Sequence, residues 1–305
     1  MANTLITPSV IASSALATLY NATVLLPLVN RDYDSDFRGK QGDTITVRTP
    51  ASFTVDEFNR SNGIQIQNAT EGSFTVTLDT LPDVSFAVTA EELTLKLDRF
   101  EERLLNPAME AHAQWVDGKL AEKLVDTAEG VGGGGTITAT GTSAGDKHAA
   151  WRTARAQMGW AKLPLTERYG VLSPEAVAAV TADPTLLQAN TSGSTEALRE
   201  GSVGRLSGID NYESQVFGYG PNDKGQADGV AFHRSAVAAV TRTLETPMGI
   251  APSQVSVQTY KGLGLRVVKA YDVDKKQDVV SIDALFGTTA IRPEAAIQFN
   301  FGLGS

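Results

Sequence analysis

The sequence predicts an α+β fold, in which antiparallel strands and long helices occupy separate stretches of one chain. Two observations carry that prediction. Apolar and polar residues alternate over 43–88, as in half-buried antiparallel strands. Apolar residues then recur every three or four positions over 91–128, as in a helix that packs on one side. Strand-rich and helix-rich stretches that follow one another are typical of α+β proteins.

A long candidate hairpin, the ribbon, occupies residues 51–72. Alternating strand patterns precede and follow it, and the Asn-Gly pair at 62–63 is the strongest short signal for a hairpin turn. A two-stranded ribbon standing alone is only marginally stable in water. We therefore expect the ribbon to lie against a neighbouring subunit. Its predicted contact residues are Phe53, Val55, Phe58, Arg60, Ile64 and Ile66.

The central stretch predicts a lead-in helix, a break at Asn106 and a long helix over 107–127. Asparagine is a favoured cap residue, and proline fits the first helical position because the N–H it lacks would have no partner there. In a helix interior the same proline would cost about 3 kcal/mol. The positions predicted to pack this helix on the core include Trp115, Leu120 and Leu124.

Residues 1–42 are interpreted as an arm. Pro8 favours the start of a helix over 10–20, and an apolar run broken by proline follows it. Such a segment has too few long-range partners to fold alone, so it must dock on its own core or on a neighbour. Further along, four glycines at 132–135 lie within a predicted linker over 131–145 and indicate a flexible hinge.

The second half of the chain predicts short helices followed by a strand-rich tail. Residues 183–201 are interpreted as a loop. Helices are predicted over 148–157 and 174–181, and strands over 169–172, 230–232, 255–257, 265–271 and 296–299.

Composition excludes several classes of protein. The 305 residues include 26 basic and 35 acidic side chains, a net charge of −9, whereas a DNA-binding domain usually carries the opposite sign. No cysteine is present, which excludes disulfides, thiolate metal sites and a cysteine nucleophile, and a reducing cytoplasm is the simplest setting. We expect neither a signal peptide nor a membrane span, because the first charge is Arg31 and no apolar run reaches about 18 residues.

One short motif is compatible with catalysis. The sequence GTSAG at 141–145 matches the nucleophile motif of serine hydrolases, in which Ser143 would attack, His233 would act as base and Asp210 as acid. No buried parallel strand is predicted before it, so a linker of small residues is favoured over a hydrolase. The glycine run lacks the Gly-Lys-Ser/Thr of a phosphate-binding loop, and the three histidines lack metal-ligand spacing. No cofactor, metal or catalytic residue is therefore predicted.

Several short motifs follow one another in a fixed order along most of residues 24–299. They are VNRDY at 29–33 with GDTI at 42–45, FAVTAEE at 86–92 with LLNP at 104–107, YGVLSP at 169–174, GSVGRLSGI at 201–209, AFHRSAV at 231–237, and DALFG at 283–287 with RPEA at 292–295. In this order they resemble the major capsid proteins of tailed bacteriophages, which have the Hong Kong 97-type fold.

That resemblance implies an architecture with two domains and two extensions. The ribbon would be the extended E-loop, and the helix over 107–127 the spine helix of a peripheral domain. The implied divisions are an N-terminal arm over 1–42, strands and E-loop over 43–90, a peripheral domain over 91–147 with further strands over 251–283, and an axial domain over 148–250 with a closing strand and C-terminus over 284–305. No room is left for a cleaved scaffolding segment, so a separate scaffolding protein is expected.

The resemblance also implies the function. Hexamers and pentamers of the chain would close into the icosahedral head of a virion around double-stranded DNA, with assembly in the cytoplasm of the host bacterium. A portal protein would occupy one vertex, and a decoration protein would reinforce the outside. DNA would lie near the shell without specific contacts, and no membrane would take part. The alternative within the same fold is an encapsulin-like nanocompartment, whose shell holds a cargo enzyme.

Some members of this family join their subunits by an isopeptide bond between an E-loop lysine and an asparagine of a neighbour. In this chain no lysine occurs between Lys40 and Lys96, so the ribbon lacks the amine. The guanidinium groups of Arg48 and Arg60 stay protonated and cannot replace it. We therefore predict a shell without covalent links between its subunits.

Overall fold

A computed structural model describes most of the chain. The described residues are 8–33, 42, 44–49, 53, 55, 57, 60, 72–89, 104–139, 144–182, 203–218, 227–246, 251–260, 263–275 and 277–303. Both helices and antiparallel strands are present, and the predicted α+β class is confirmed.

The first helix, α1 (Pro8–Ala22), docks on its own subunit. It lies along the long helix α2 (Asn106–Glu129) and against strands β10 (Val255–Tyr260) and β11 (Leu263–Asp272). One face of α1 is buried, and its residues are Ile11, Ala12, Ala15, Leu16 and Leu19. Of the two docking places that the sequence left open for this part of the arm, the structure therefore gives its own core.

The predicted break before α2 is wrong. Leu105 already has helical angles (φ −72°, ψ −48°), and residues 104–105 form a wider, π-type turn that leads into the helix. Asn106 does not cap α2, because its side-chain oxygen accepts a hydrogen bond from Thr18 Oγ1 at 3.3 Å. The ring of Pro107 would meet the carbonyl four residues earlier in a regular helix, and a wider turn relieves that clash.

A four-stranded antiparallel sheet packs beside α1 and α2. Its order is β10, β11, β12 (Gln277–Asp283) and β3 (Asp83–Thr89). The side chains of Val267, Val280 and Ile282 are buried between this sheet and the helices.

A second, six-stranded sheet is formed mainly from the second half of the chain. Its strands, in spatial order, are β4 (Thr136–Thr138), β14 (Ala296–Asn300), β8 (Gly229–His233), β5 (Arg168–Leu172), β7 (Ile209–Glu213) and β6 (Arg205–Leu206). The pairs β4–β14 and β5–β7 are parallel, and the others are antiparallel. All five residues of the central strand β8 are buried.

Two further strand pairs and two helices complete the described part of the fold. Strand β1 (Thr44–Thr49) pairs with β2 (Gly72–Thr77), and β9 (Val237–Arg242) pairs with β13 (Leu285–Ala290), both antiparallel. Helix α3 (Ala144–Trp160) and helix α4 (Pro174–Thr181) flank β5 in sequence. The side chain of Ser173 caps α4 by accepting from the amide of Ala176 at 3.1 Å.

The glycine run at 132–135 is a fixed turn, and the prediction of a flexible hinge is wrong. The amide of Gly134 donates to the carbonyl of Ala296 at 2.9 Å. A side chain on Gly133 would collide with the carbonyl of Ala128, so only glycine fits there. The run brings the end of α2 close to β14, and the predicted linker contains strand β4 and the first residues of α3.

Candidate assembly surfaces

The two ends of the ribbon are held together by the pairing of β1 with β2. In the register of β1 and β2, Thr49 lies opposite Gly72, so the chain between them starts and returns at one point. Beyond that base the structure describes Phe53, Val55, Glu57 and Arg60, and all four are exposed. The exposed fraction is 65% for Phe53 and 100% for Val55. Two apolar side chains are thus in water in the isolated subunit.

Three of the predicted ribbon contacts, Phe58, Ile64 and Ile66, lie outside the described residues.

The base of the ribbon is packed firmly on the core. Val76 and Leu78 of the β2 region are fully buried in a cluster with Val240 and Leu285. A side chain on Gly287 would collide with the backbone of β2, which shows how closely β13 approaches it. The two strands at the base of the ribbon are therefore packed on the core of their own subunit.

The three residues predicted to pack α2 lie at different depths. Leu120 and Leu124 are completely buried, whereas Trp115 is half-buried. The Trp115 ring meets Phe286 edge to face, with centroids 5.8 Å apart, a favourable geometry for aromatic pairs. Helix α2 is thereby joined to strand β13.

Comparison with solved structures identifies the fold. A protein in a structure of Mycobacterium phage Che8 is 21% identical, with a TM-score of 0.67 over 92% of this chain and 91% of that chain. One in the capsid of cyanophage P-SCSP1u is 15% identical, with a TM-score of 0.66 over 91% and 88%. One in a virus-like particle from Pyrococcus furiosus is 12% identical, with a TM-score of 0.53 over 95% and 97%. No protein-family model and no curated protein matches the sequence.

The chain has the phage capsid fold. The match covers about nine-tenths of both chains, so it concerns the architecture as a whole rather than one motif.

A buried carboxylate fastens the arm to this capsid fold. Asp117 of α2 is 3% exposed and accepts hydrogen bonds from the backbone amides of Val24, at 2.6 Å, and Leu25, at 3.1 Å. Burial raises its pKa from 3.8 to about 6, against the opposing effect of these hydrogen bonds. Sequence reasoning missed this residue, although Asp117 stands three and seven positions before Leu120 and Leu124 and so shares their buried helix face.

A second carboxylate holds the C-terminal segment in the same manner. Asp228 is completely buried and accepts a hydrogen bond from the amide of Phe301. Burial raises its pKa, while the amides of residues 301–303 oppose the shift. Both ends of the described chain are therefore attached to the core by a buried aspartate.

The candidate hydrolase residues do not form a catalytic site in the described part of the chain. Ser143 lies outside the described residues. The Nδ1 atom of His233 contacts Ser235 Oγ at 2.8 Å, and Asp210 pairs with Arg205 at 3.3 Å. Strand β4, which precedes the motif, is a three-residue edge strand, whereas a hydrolase elbow follows a strand in the centre of a sheet.

The histidines give no sign of a metal centre. His112 is buried, and burial lowers its pKa from 6.5 to about 4, so it is neutral at pH 7. Among the described residues no three His, Asp or Glu side chains are grouped as ligands. No helix in the described ranges is both long and apolar enough to cross a bilayer.

A cleft beside the ribbon base carries charges of both signs. Its charged residues come from α2 and from the segment that follows β2, and they are Asp79, Lys119, Glu122, Lys123 and Asp126. Lys119 and Glu122 form a pair at 2.8 Å in which both side chains are substantially exposed. Exposed pairs of this kind contribute little to stability within one subunit.

Proposed function

We propose that this chain is the major capsid protein of a tailed bacteriophage, a structural subunit and not an enzyme. Copies of it would form the hexamers and pentamers of an icosahedral shell around double-stranded DNA. The observation that carries the proposal is the phage capsid fold over more than nine-tenths of the chain. The exposed side chains of Phe53 and Val55 support it, because apolar residues that stay in water in one subunit fit a protein built to contact copies of itself.

The proposed domains follow the sheets. The peripheral domain, 91–147 with 251–283, contains α2 and strands β10 to β12 of the four-stranded sheet. The axial domain, 148–250 with 284–305, contains five strands of the six-stranded sheet, and β4 from 91–147 joins its edge. The arm, 1–42, and the stretch 43–90 with the ribbon would be the extensions that link subunits.

The proposed ribbon contact is apolar with a charged margin. Phe53 and Val55 would lie on a neighbouring subunit, and Arg60 would pair with a carboxylate there. The charged cleft offers carboxylates of the needed sign. Each exposed pair contributes about 0–1 kcal/mol, so buried apolar area must supply most of the binding free energy.

The proposed partners follow from this role. A separate scaffolding protein would direct curvature, a portal protein would fill one vertex, and a decoration protein would reinforce the shell. Assembly would take place in the host cytoplasm, and the finished protein would belong to the virion. The acidic balance of the chain, −9, suits a wall that must not adhere to the DNA inside it.

A nanocompartment shell is the second candidate function. The solved structures favour the phage, because the Pyrococcus furiosus particle is described as virus-like and its TM-score of 0.53 is below the 0.66 and 0.67 of the two phage structures. Cryo-electron microscopy of purified native particles, with analysis of their contents, separates the two. Packaged double-stranded DNA supports the phage, whereas an encapsulated enzyme supports the nanocompartment.

The direct test is assembly of the full-length chain. We expect the recombinant protein, co-expressed with its scaffolding partner, to form closed shells or hexamers and pentamers, because heterologous contacts that close generate such assemblies. Sedimentation velocity and electron microscopy measure the result. A monomer as the sole species across several salt concentrations, with the scaffold present, would contradict the proposal.

Mature particles should dissociate completely on a denaturing gel. The ribbon has no lysine amine for an isopeptide bond, and the chain has no cysteine for a disulfide. After boiling in detergent we expect one band near the 32.3 kDa mass of the subunit. A ladder of multimers that survives boiling would show that the subunits are joined by some other covalent chemistry.

A further inference from the structure

Three strands of the four-stranded sheet leave the rest of the fold and return to it at one place, here called the neck. Strand β9 ends at Arg242 and β13 begins at Leu285, and these two residues lie opposite each other in the antiparallel pair. The residues between them form β10, β11 and β12. The neck therefore consists of the outgoing residues 243–246 and the returning residues 283–284.

One side chain, that of Arg266 on β11, binds both sides of the neck. Its Nε and Nη2 atoms donate to the two carboxylate oxygens of Asp283, at 3.0 and 2.6 Å, and its Nη1 atom donates to the carbonyl oxygen of Glu245 at 2.6 Å. The exposed fraction is 14% for the side chain of Arg266 and 7% for that of Asp283, so salt screens this pair little. A planar guanidinium holds several acceptors in fixed directions, which an ammonium group does not.

Other contacts also support this sheet. A side chain on Gly264 of β11 would collide with Thr243, so β11 passes directly against the outgoing side of the neck. The fourth strand, β3, enters beside the returning side, where the amide of Ala284 donates to the carbonyl of Pro82 at 3.3 Å. Helix α1 packs on β10 and β11. Packed helices can slide by small amounts, whereas directed hydrogen bonds weaken when their angles change, so the orientation of the sheet depends most on the bonds of Arg266.

We propose that Arg266 is a positioning residue that fixes the angle between the four-stranded and six-stranded sheets, and that this angle sets the curvature of the assembled shell. This inference rests on the proposed capsid function. A subunit within a shell has neighbours on several sides, so a change of angle inside it changes the rotation from one subunit to the next. Heterologous contacts close only when that rotation has a suitable value, and they give open assemblies otherwise.

The first test is Arg266→Lys in the full-length chain. Lysine keeps the positive charge beside Asp283 but cannot hold acceptors on both sides of the neck in fixed directions. We expect shells of one diameter from the wild type, and from the variant a loss of that single diameter, with shells of mixed size and open assemblies. Electron microscopy measures the diameters, and thermal unfolding checks that the subunit is folded.

Lys269→Ala is the matched control. Lys269 lies on the same strand as Arg266, three residues further from the neck, and it pairs with Asp278 of β12 at 2.9 Å. The exposed fractions of the two side chains are 25% and 14%, so this pair is also largely buried. It joins the same two strands but does not bind the neck, so its loss should leave the diameter of the shells unchanged.

A second measurement reports the angle without assembly. Since the chain has no cysteine, Thr153→Cys with Ala270→Cys places one exposed thiol on α3 and one on β11. Helix α3 moves with the six-stranded sheet, because Trp151 packs on Phe299 of β14. Pulsed electron paramagnetic resonance of spin labels on the two thiols gives the distance between them in dissociated subunits. We expect a narrow distribution of distances with Arg266 present and a broader one after Arg266→Lys.

The outcomes separate the two hypotheses. Asp283→Asn is a second variant, because its amide retains one acceptor oxygen, and it should broaden the diameters and the distances in the same way. If the wild type forms no shells or capsomers, the proposed function fails. If the wild type assembles and either the diameters or the distances are unchanged in the variants, the inference fails alone. Variants that unfold would show that Arg266 holds the sheet itself together rather than its angle, and would also overturn the inference.

Discussion

Replacing Asp117 with alanine is expected to lower the free energy of unfolding by about 2–4 kcal/mol at pH 7. The carboxylate accepts the amides of Val24 and Leu25, which lie where little water reaches them. Without it, each buried amide left unpaired costs about 1–3 kcal/mol, offset in part because a buried charge is removed as well. Urea denaturation followed by circular dichroism measures the change.

Asp117→Asn is the matched control, because the amide keeps one acceptor oxygen in nearly the same place. It should lose less stability than the alanine variant and retain protection of the arm against proteolysis. If alanine and asparagine variants are equally stable and equally resistant to protease, the carboxylate does not fasten the arm.

The pH dependence of stability gives a further test of Asp117, in which the wild type is compared with the Asp117→Asn variant. Burial raises the pKa of Asp117 from 3.8 to about 6, so the folded state binds this proton more tightly than the unfolded state. The part of its contribution to stability that is linked to this proton is then fully present below about pH 4 and is lost as the pH rises through about 6, a change of about 3 kcal/mol; the contribution of the two hydrogen bonds at pH 7 is separate from it. Relative to Asp117→Asn, the wild type should therefore gain stability by roughly that amount between pH 7 and pH 4.

The comparison with the asparagine variant matters because another buried group titrates in the opposite direction. Burial lowers the pKa of His112 from 6.5 to about 4, so its contribution is present above its ordinary value and is lost as the pH falls through about 4. Both chains contain His112, and its effect cancels in the difference between them. A difference that does not change with pH would contradict the assignment to Asp117.

The sequence correctly predicted those helices and strands whose ends are marked by residues within or beside them. Helix α4 was predicted over 174–181 and spans Pro174–Thr181, since a serine cap and a proline define its start. The long helix predicted over 107–127 is Asn106–Glu129, because its apolar spacing continues without interruption. The closing strand predicted over 296–299 is Ala296–Asn300.

Features that depend on contacts distant in sequence were not predicted. Four consecutive glycines suggest a hinge from the sequence alone. In the structure they pack against Ala128 and Ala296, and no neighbouring residue in the sequence predicts the contact with Ala296. Strand β9 was missed because its alanine-rich sequence shows no alternation, and both of its faces are buried. The spacing of Asp117 places it on the buried face of α2, but the amides of Val24 and Leu25 that it binds lie far away in sequence and could not be foreseen.

The predicted interface differs in kind from the core. Sequence patterns can identify the apolar positions of the ribbon, but they contain no information on the subunit that would cover them. In the structure the side chains of Phe53 and Val55 are exposed to water, and contact with another surface would bury them. A contact with a neighbouring subunit would form only when subunits assemble, so the folding of one chain does not reveal it.

Replacing both Phe53 and Val55 with aspartate is expected to abolish shell formation while the subunit stays folded. Each large apolar side chain that becomes buried contributes about 1.5–3 kcal/mol, and an aspartate in its place brings an unpaired charge into the contact. Every subunit of a shell repeats the loss, so even about 3 kcal/mol per contact shifts its equilibrium more than a hundredfold. Sedimentation and electron microscopy should show only dissociated subunits or capsomers.

The folded state of this double variant can be predicted from the exposure of the two residues. Because neither side chain packs on its own core, the midpoint of thermal unfolding should match that of the wild type. Phe53→Leu with Val55→Ile is the matched control, since it preserves apolar contact at both positions and should assemble. Normal shells from the aspartate variant would exclude these two residues from the contact between subunits, whereas a lower unfolding temperature would place them in the subunit's own packing instead.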